Sequence, residues 1–250
     1  LKEDFGLLAV KAEFEAEGTR TEELLRLLEI ANKANIKVAL KIGGCEAVRD
    51  LIVSKNFGCN YIIAPMIESA YGLQKFIDAK NNVYSKNDSQ DCEFLFNMET
   101  ISAYNDKDKI FEVANGELDG AVFGRVDFTG SMGLDRDAIN NDEITDYIKV
   151  VARMSKQNEL DFVVGGGVSM YSLPTLSEIK NIYLSRFETR KLVFDAGSID
   201  FKGMDRSLVS AVQFELLWLE NKRSHYETIF KEDDKRIEML QKRWKTMLET

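Results

Sequence analysis

The chain has 250 residues, a mass of 28.4 kDa, a formal net charge of −9 and a sequence pI near 4.9. Hydrophobic residues at 44% and charged residues at 30% are ordinary for a globular protein long enough to bury a sizeable core. The acidic balance argues against nucleic acid or an anionic membrane as the main partner, while a small anionic substrate needs only a local basic pocket.

The first residues, "LKEDFGLLAV", do not read as a secretory signal, because the apolar part is short and acids precede it. No apolar run approaches the roughly 20 residues of a membrane span. Cys45, Cys59 and Cys92 are odd in number and lack C-x-x-C spacing, so reduced thiols and a cytoplasmic location are expected. A single histidine, His225, argues against histidine-rich metal sites and Ser-His-Asp triads. The two prolines, Pro65 and Pro174, sit beside apolar runs and mark no linker.

Seven short runs read as strands, at residues 7–15, 37–44, 61–67, 93–99, 120–126, 161–168 and 181–188. Between them lie helical patterns at 21–34, 45–56, 70–81 and 143–157. Near-continuous apolar strands alternating with helices predict a buried parallel sheet. Seven strands are one short of a closed (β/α)8 TIM barrel. Either the first strand precedes this chain's start or the eighth lies in "KLVFDAG", residues 191–197. The barrel is expected over residues 1–203.

Residues 204–250 contain no proline, glycine or strand signal. Apolar residues at Leu208, Val212, Leu216, Leu219, Tyr226, Phe230, Ile237, Leu240, Trp244 and Met247 predict a helical extension with a break near 227–234. It packs either on the barrel or on a neighbouring subunit, and a homo-oligomer joined through these helices is the expectation.

In a parallel α/β barrel the active site lies at the C-terminal ends of the strands. The predicted strand ends carry Glu13, Glu15 and Glu17; Lys41 and two glycines; Glu68; Glu99; Arg125 and Asp127; three glycines from Gly165; and Arg186, Glu188 and Arg190. Unpaired buried charge costs several kcal/mol, so a purely structural protein has little reason for such a ring. Glu99 and Asp127 end consecutive strands. Two hard carboxylates with room for water suit Mg²⁺ or Mn²⁺. Alternatively, Glu99 caps a helix and Asp127 pairs with Arg125. Lys11 is either a second anion-binding group or an ion-pair partner of Glu13. Arg20, in the loop after the first strand, is placed to close on a substrate. Arg186 and Arg190 either hold a distal anionic group or form an internal ion-pair net. Glu68 reads as a cap, and Cys45, lacking a base, as packing.

Three segments in order, "NYIIAPMIESAYGLQKFI", "FLFNMETISAYNDKDKIFEV" and "LDGAVFGRVDFTGSMGL", resemble the HpcH/HpaI aldolase and citrate lyase β-subunit superfamily. The resemblance runs from about Phe5 to Asp195. It implies a (β/α)8 barrel that makes or breaks C–C bonds through a pyruvate or acetyl-thioester enolate, with Mg²⁺ or a similar ion held by Glu99 and Asp127. It also implies trimers or hexamers that exchange a C-terminal helix. "APMIESA" is similar to the form of the citrate lyase branch. There are departures. Phe14 stands where the aldolase branch has its catalytic histidine, Lys41 where the family has an arginine for the substrate carboxylate, and Arg125 where the aldolase branch has proline. Lysine neutralises a carboxylate without arginine's bidentate fork.

The reading is a class II-type, metal-dependent carbon–carbon lyase or aldolase for a keto acid or related anionic substrate. Glu99 and Asp127 hold the metal. Lys41, Lys11, Arg20, Arg125 and Arg186 are the candidate anion contacts, and the turn from Gly124 supplies backbone N–H groups. Glu13 or Glu15 acts as base, directly or through water, if crowding raises its pKa. The rivals are a metal-dependent enzyme for phosphoenolpyruvate or another phosphorylated substrate, and an inactive barrel serving as a binding or assembly subunit.

Overall fold

The structure is a computed structural model that describes residues 1–249. In chain order the elements are α1 (Lys2–Phe5), β1 (Leu7–Glu13), α2 (Thr21–Ala34), β2 (Lys37–Lys41), α3 (Val48–Asn56), β3 (Tyr61–Ala64), α4 (Ala70–Val83) and β4 (Glu93–Met98). There follow α5 (Ile101–Asn105), α6 (Lys107–Ala114), β5 (Gly120–Gly124), α7 (Arg125–Ser131), α8 (Asp142–Gln157), β6 (Asp161–Gly165), α9 (Leu173–Lys180), β7 (Arg186–Glu188), β8 (Leu192–Asp195) and α10 (Met204–Leu248). The eight strands close into one barrel in sequence order.

The missing strand is therefore β8, in the stretch the sequence offered as one of two alternatives. It differs from the other seven in direction, pairing antiparallel with both β7 and β1. The cause is the length of its connection. Only residues 189–191 separate β7 from β8, and a parallel return needs a crossover of about a dozen residues or more. Thr189 ties this hairpin, its N–H donating to the Leu192 carbonyl at 2.9 Å. The reversal has a consequence for function: the hairpin loop, with Arg190 and Lys191, stands at the barrel's mouth.

Strand residues alternate between the lumen and the surrounding helices. The lumen is filled in layers. An apolar layer, with Ala9, Ile63, Leu95, Val122 and Val193 among its members, separates two charged ones. The lower layer lies at the N-terminal strand ends, where Arg186 meets Glu93 at 2.7 Å and Asp161 at 2.9 Å and lies 4.5 Å over the Tyr61 ring. The upper layer is the mouth.

The first compact unit runs Leu1–Ala211 and the second begins at Val212. The boundary falls later than residue 203 because Met204, Leu208 and Ala211 are buried in the first unit. The expected break near 227–234 is absent among the described residues, and α10 is one helix of 45 residues. Its Glu227–Lys231 pair at i,i+4 (2.5 Å) supports the helix through that polar stretch. No helix of the described residues is long and apolar enough to cross a membrane.

Candidate active site at the barrel mouth

Parallel register sets the site. Glu13 lies beside Lys41 on the β1–β2 pair, and Gly124 beside Gly165 on the β5–β6 pair. The two glycines leave space that two glutamates use. A Cβ at Gly124 would stand 2.5 Å from Glu99 Oε2 and 2.8 Å from Glu99 Cβ, and one at Gly165 would stand 3.0 Å from Glu188 Cγ. Any larger residue at Gly124 would force Glu99 to move.

Glu99 is buried just past the end of β4 and both its oxygens are engaged. Oε2 accepts from Asn97 Nδ2 at 2.7 Å, and Oε1 from the Met66 backbone N–H at 3.0 Å. The Lys41 ammonium lies 3.4 Å from Oε1. Met66 reaches this position in the left-handed region, at φ 49°. A non-glycine residue there stores strain of order 1 kcal/mol, a cost that clusters at functional sites. Asn97 Oδ1 is buried and has no hydrogen-bond partner. Asp127 lies in the first turn of α7, immediately after β5, with its side chain exposed.

The lysines are shared among carboxylates. Lys41 reaches Glu15 at 3.1 Å as well as Glu99. Lys11 donates to Glu188 Oε1 at 2.5 Å and lies 3.3 Å from Glu13. Arg190 reaches Glu17 at 3.2 Å and Glu13 at 3.7 Å, and Lys191 also pairs with Glu17. Burial lowers the pKa of each of the two lysines, Lys11 and Lys41, but their glutamate partners outweigh it and both end above the ordinary lysine value. They stay charged and serve as fixed cations, not bases.

The expected glutamate row is corrected. β1 ends at Glu13, and Glu15 and Glu17 sit in the bend that follows. Each has its own cation because the bend turns them to different partners. The expectation that crowding raises the Glu13 pKa is also overturned. Burial pushes it up, but Lys11, Lys41 and Arg190 together hold it below the usual carboxylate value.

Of the anion contacts expected from sequence, Lys11 and Lys41 are at the mouth and two others are not. Arg186 is at the opposite end, because β7 is three residues long and Arg186 is its first, paired in register above the floor. Arg125 points into the wall behind the mouth and is fully buried. Its guanidinium donates to the Gly165 carbonyl at 3.1 Å, Asn140 Oδ1 at 2.8 Å and Ser172 Oγ at 3.2 Å. With only neutral acceptors, burial lowers its pKa to about 10. It pins the turn carrying Asp127 to the glycine loop after β6. Glu68 is not the helix cap: Ser69 is, accepting from the Gly72 N–H.

Arg20 is the N-cap of α2, half exposed and paired with Glu23. It lines an open cavity of about 440 Å³ with Phe14, Thr19, Arg49, Asp50 and Val53. Sequence reasoning missed Lys191 and Asn97 altogether. Their signals were the alternating charges of "RFETRK" and the i,i+2 spacing of Asn97 to Glu99, which puts both on one face of a strand.

Neither a protein-family model nor a curated protein matches the sequence. Solved structures do match in shape. An HpcH/HpaI aldolase from Desulfitobacterium hafniense superposes with a TM-score of 0.59 at 13% identity, over 72% of this chain and 76% of that one. The barrel has the fold of these aldolases. An HpcH/HpaI aldolase/citrate lyase family protein from Burkholderia cenocepacia gives 0.59 at 12% identity, over 82% and 84% of the two chains. RipC from Yersinia pestis gives 0.54 at 16% identity, over 77% and 86%. At these identities the likeness is one of fold, and the antiparallel β8 closes the barrel here.

Proposed function

We propose that the barrel mouth is the active site of a divalent-metal-dependent carbon–carbon lyase or aldolase acting on a keto acid or a related anionic substrate. The observation that carries this reading is the charge and shape of the mouth. Five carboxylates (Glu13, Glu15, Glu17, Glu99 and Glu188) meet four cations (Lys11, Lys41, Arg190 and Lys191), and a sixth, Asp127, stands exposed in the first turn after β5. Two negative charges are left over, the charge of one divalent ion.

The residues present fit such an ion. Glu99 lies in the space that a Cβ at Gly124 would fill, and Asp127 follows three residues after Gly124. Both are hard oxygen donors. Among the described residues no group of three or more His, Cys, Asp or Glu side chains is placed to hold a metal ion, so the reading rests on these two carboxylates. Two carboxylates with the remaining positions left to water and substrate suit Mg²⁺ or Mn²⁺. When bound, the ion would supply Lewis-acid stabilisation of the negative charge that develops on an enolate oxygen.

The chain's own residues do the rest. Lys41, protonated and buried, faces the substrate carboxylate as a point charge. Lys11, fixed between Glu13 and Glu188, offsets part of the negative charge of that wall. Asn97, donating Nδ2 to Glu99 Oε2 at 2.7 Å, holds that carboxylate in place. Glu15 is the group we assign to proton transfer. It sits on a bend, is partly exposed and pairs through Oε2 with Lys41 at 3.1 Å, whereas Glu13 is held as a carboxylate by three cations.

The test is calorimetric titration of Mg²⁺ and Mn²⁺, with and without pyruvate or oxaloacetate, on wild type and Asp127→Ala. The expected result is keto-acid binding that depends on metal and is lost in the variant. Absence of metal-dependent keto-acid binding in wild type refutes the reading.

A further inference from the structure

The second unit carries a seven-residue repeat along α10. One position of the repeat holds Leu216, Arg223, Phe230, Ile237 and Trp244, and the position four residues before each holds Val212, Leu219, Tyr226, Asp233 and Leu240. This is the a/d pattern of a coiled-coil seam. Eight of the ten residues are apolar. Seven of those eight, all but the half-buried Tyr226, are more than half exposed, Phe230 at 64% and Trp244 at 62%. A stripe about 50 Å long, at 1.5 Å per residue, is left to water on a helix that is otherwise strongly charged. Long uncovered apolar stripes of this kind mark an interface.

We propose that the seam is covered by the same seam of a second copy of this chain, running antiparallel, with the two-fold axis beside Thr228. The two charged seam residues select this arrangement. Reversing one helix sets each a position against a d position of the other. With the axis at Thr228, Arg223 meets the partner's Asp233 and, by symmetry, Asp233 meets the partner's Arg223. The same register pairs apolar residues everywhere else: Val212 with the partner's Trp244, Leu216 with the partner's Leu240, Leu219 with the partner's Ile237, and Tyr226 with the partner's Phe230. The bulkiest seam residue faces one of the smallest, as interdigitated packing requires.

The alternatives each bury an uncompensated charge. A parallel, in-register pair sets Arg223 against its own counterpart and Asp233 against its own, two like-charge contacts inside the seam. An antiparallel register displaced by one repeat sets Arg223 against the partner's Tyr226 or the partner's Leu240. Leaving a buried ion unpaired costs far more than an exposed pair gains. The flanking positions are mixed and wet: Glu215 faces the partner's Arg243 favourably, while Lys222 faces the partner's Arg236. Exposed pairs of this kind are each worth under about 1 kcal/mol, so the seam charges decide. The inference does not depend on the chemistry of the barrel mouth.

The experiment is sedimentation equilibrium of the full chain, with circular dichroism as the control for folding. Wild type should be dimeric. Arg223→Asp and Asp233→Arg should each weaken self-association about 100-fold or more, as truncated buried charge pairs do at interfaces. The two substitutions combined restore opposite charges across the antiparallel seam and should recover most of the affinity. In a parallel pair neither single change alters the balance of like charges. Ile229 faces its own counterpart only in the antiparallel arrangement, so Ile229→Cys should be cross-linked between copies by a short bis-maleimide. Wild type, with Cys59 and Cys92 buried and Cys45 partly exposed, is the control. A chain that stays monomeric at its highest soluble concentration overturns the proposal. So do single variants that self-associate like wild type, or a double variant that does not recover.

Discussion

At the floor of the barrel one guanidinium, Arg186, lies between Glu93 and Asp161 and over the face of Tyr61, with Lys37 reaching Glu93 from the side. At the mouth two buried lysines are shared among four glutamates, and a third and fourth cation arrive from the β7–β8 hairpin. The residue types are the same. The floor balances Glu93 and Asp161 with Arg186 and Lys37, and its glycine, Gly120, lies against Asp161, where a Cβ would stand 2.8 Å from the Asp161 carbonyl oxygen. The mouth has more acids than bases, an unpaired Asn97 oxygen and two glycines against which glutamates lie. Charge alone therefore does not mark a site in a barrel. Unbalanced charge does.

The comparison breaks first at Arg186. Arg186→Ala leaves two carboxylates facing each other at the floor, and because both are partly solvated the expected loss is about 3 kcal/mol, at the low end for a broken buried pair. It should be read by urea unfolding, while metal-dependent ligand binding by the folded protein is unchanged. Lost binding at full stability would mean that the floor belongs to the site.

Gly124→Ala is the converse. Its Cβ would meet Glu99 Oε2 at 2.5 Å, and overpacking costs about 1–3 kcal/mol. Metal binding by calorimetry should be lost together with this modest destabilisation.

Glu13 gives the pH dependence. Its carboxyl titrates below the ordinary value in the folded state. Its contribution to stability is therefore full above the unfolded-state pKa of about 4.3 and is lost as pH falls through the lower, folded-state value. Glu13→Gln should be less stable than wild type by about 1 kcal/mol near neutrality. Thermal melts at a series of pH values should show the two proteins converging in acid. A difference that grows in acid contradicts the geometry.

The smallest effect belongs to Arg190→Ala. That side chain is about half exposed and its partners have other cations, so less than about 1 kcal/mol is expected by chemical denaturation.

Much of the barrel could be read along the chain, because strands buried on both faces are apolar throughout and their helices repeat with a different period. Six of the seven starts fall on the observed residue, while 181–188 has the observed end but a strand that begins only at Arg186. Predicted strands overran by up to three residues at the C-terminal side, as with 161–168 against Asp161–Gly165, because apolar and glycine residues continue into the loops that build the mouth. Lys11, Glu13, Lys41 and Glu99 were legible as site residues because each lies at or within two residues of a strand's C-terminal end on the lumen face. Arg186 and Arg125 were not, since a charged residue at a strand's start or just past its end looks the same in one dimension as one at the mouth.

Local pattern and composition by themselves determined an α/β barrel, a charged ring at its strand ends and an amphipathic helical tail. They did so because period, apolarity and turn residues are properties of neighbours along the chain. Only the tertiary structure decided that β8 runs backwards, that Arg186 closes the floor, that Arg125 pins a turn, and that Glu13 is held as a carboxylate. The β8 reversal follows from a connection of residues 189–191 alone, and the others depend on which groups distant in sequence meet in space, such as Lys11 and Glu188, 177 residues apart.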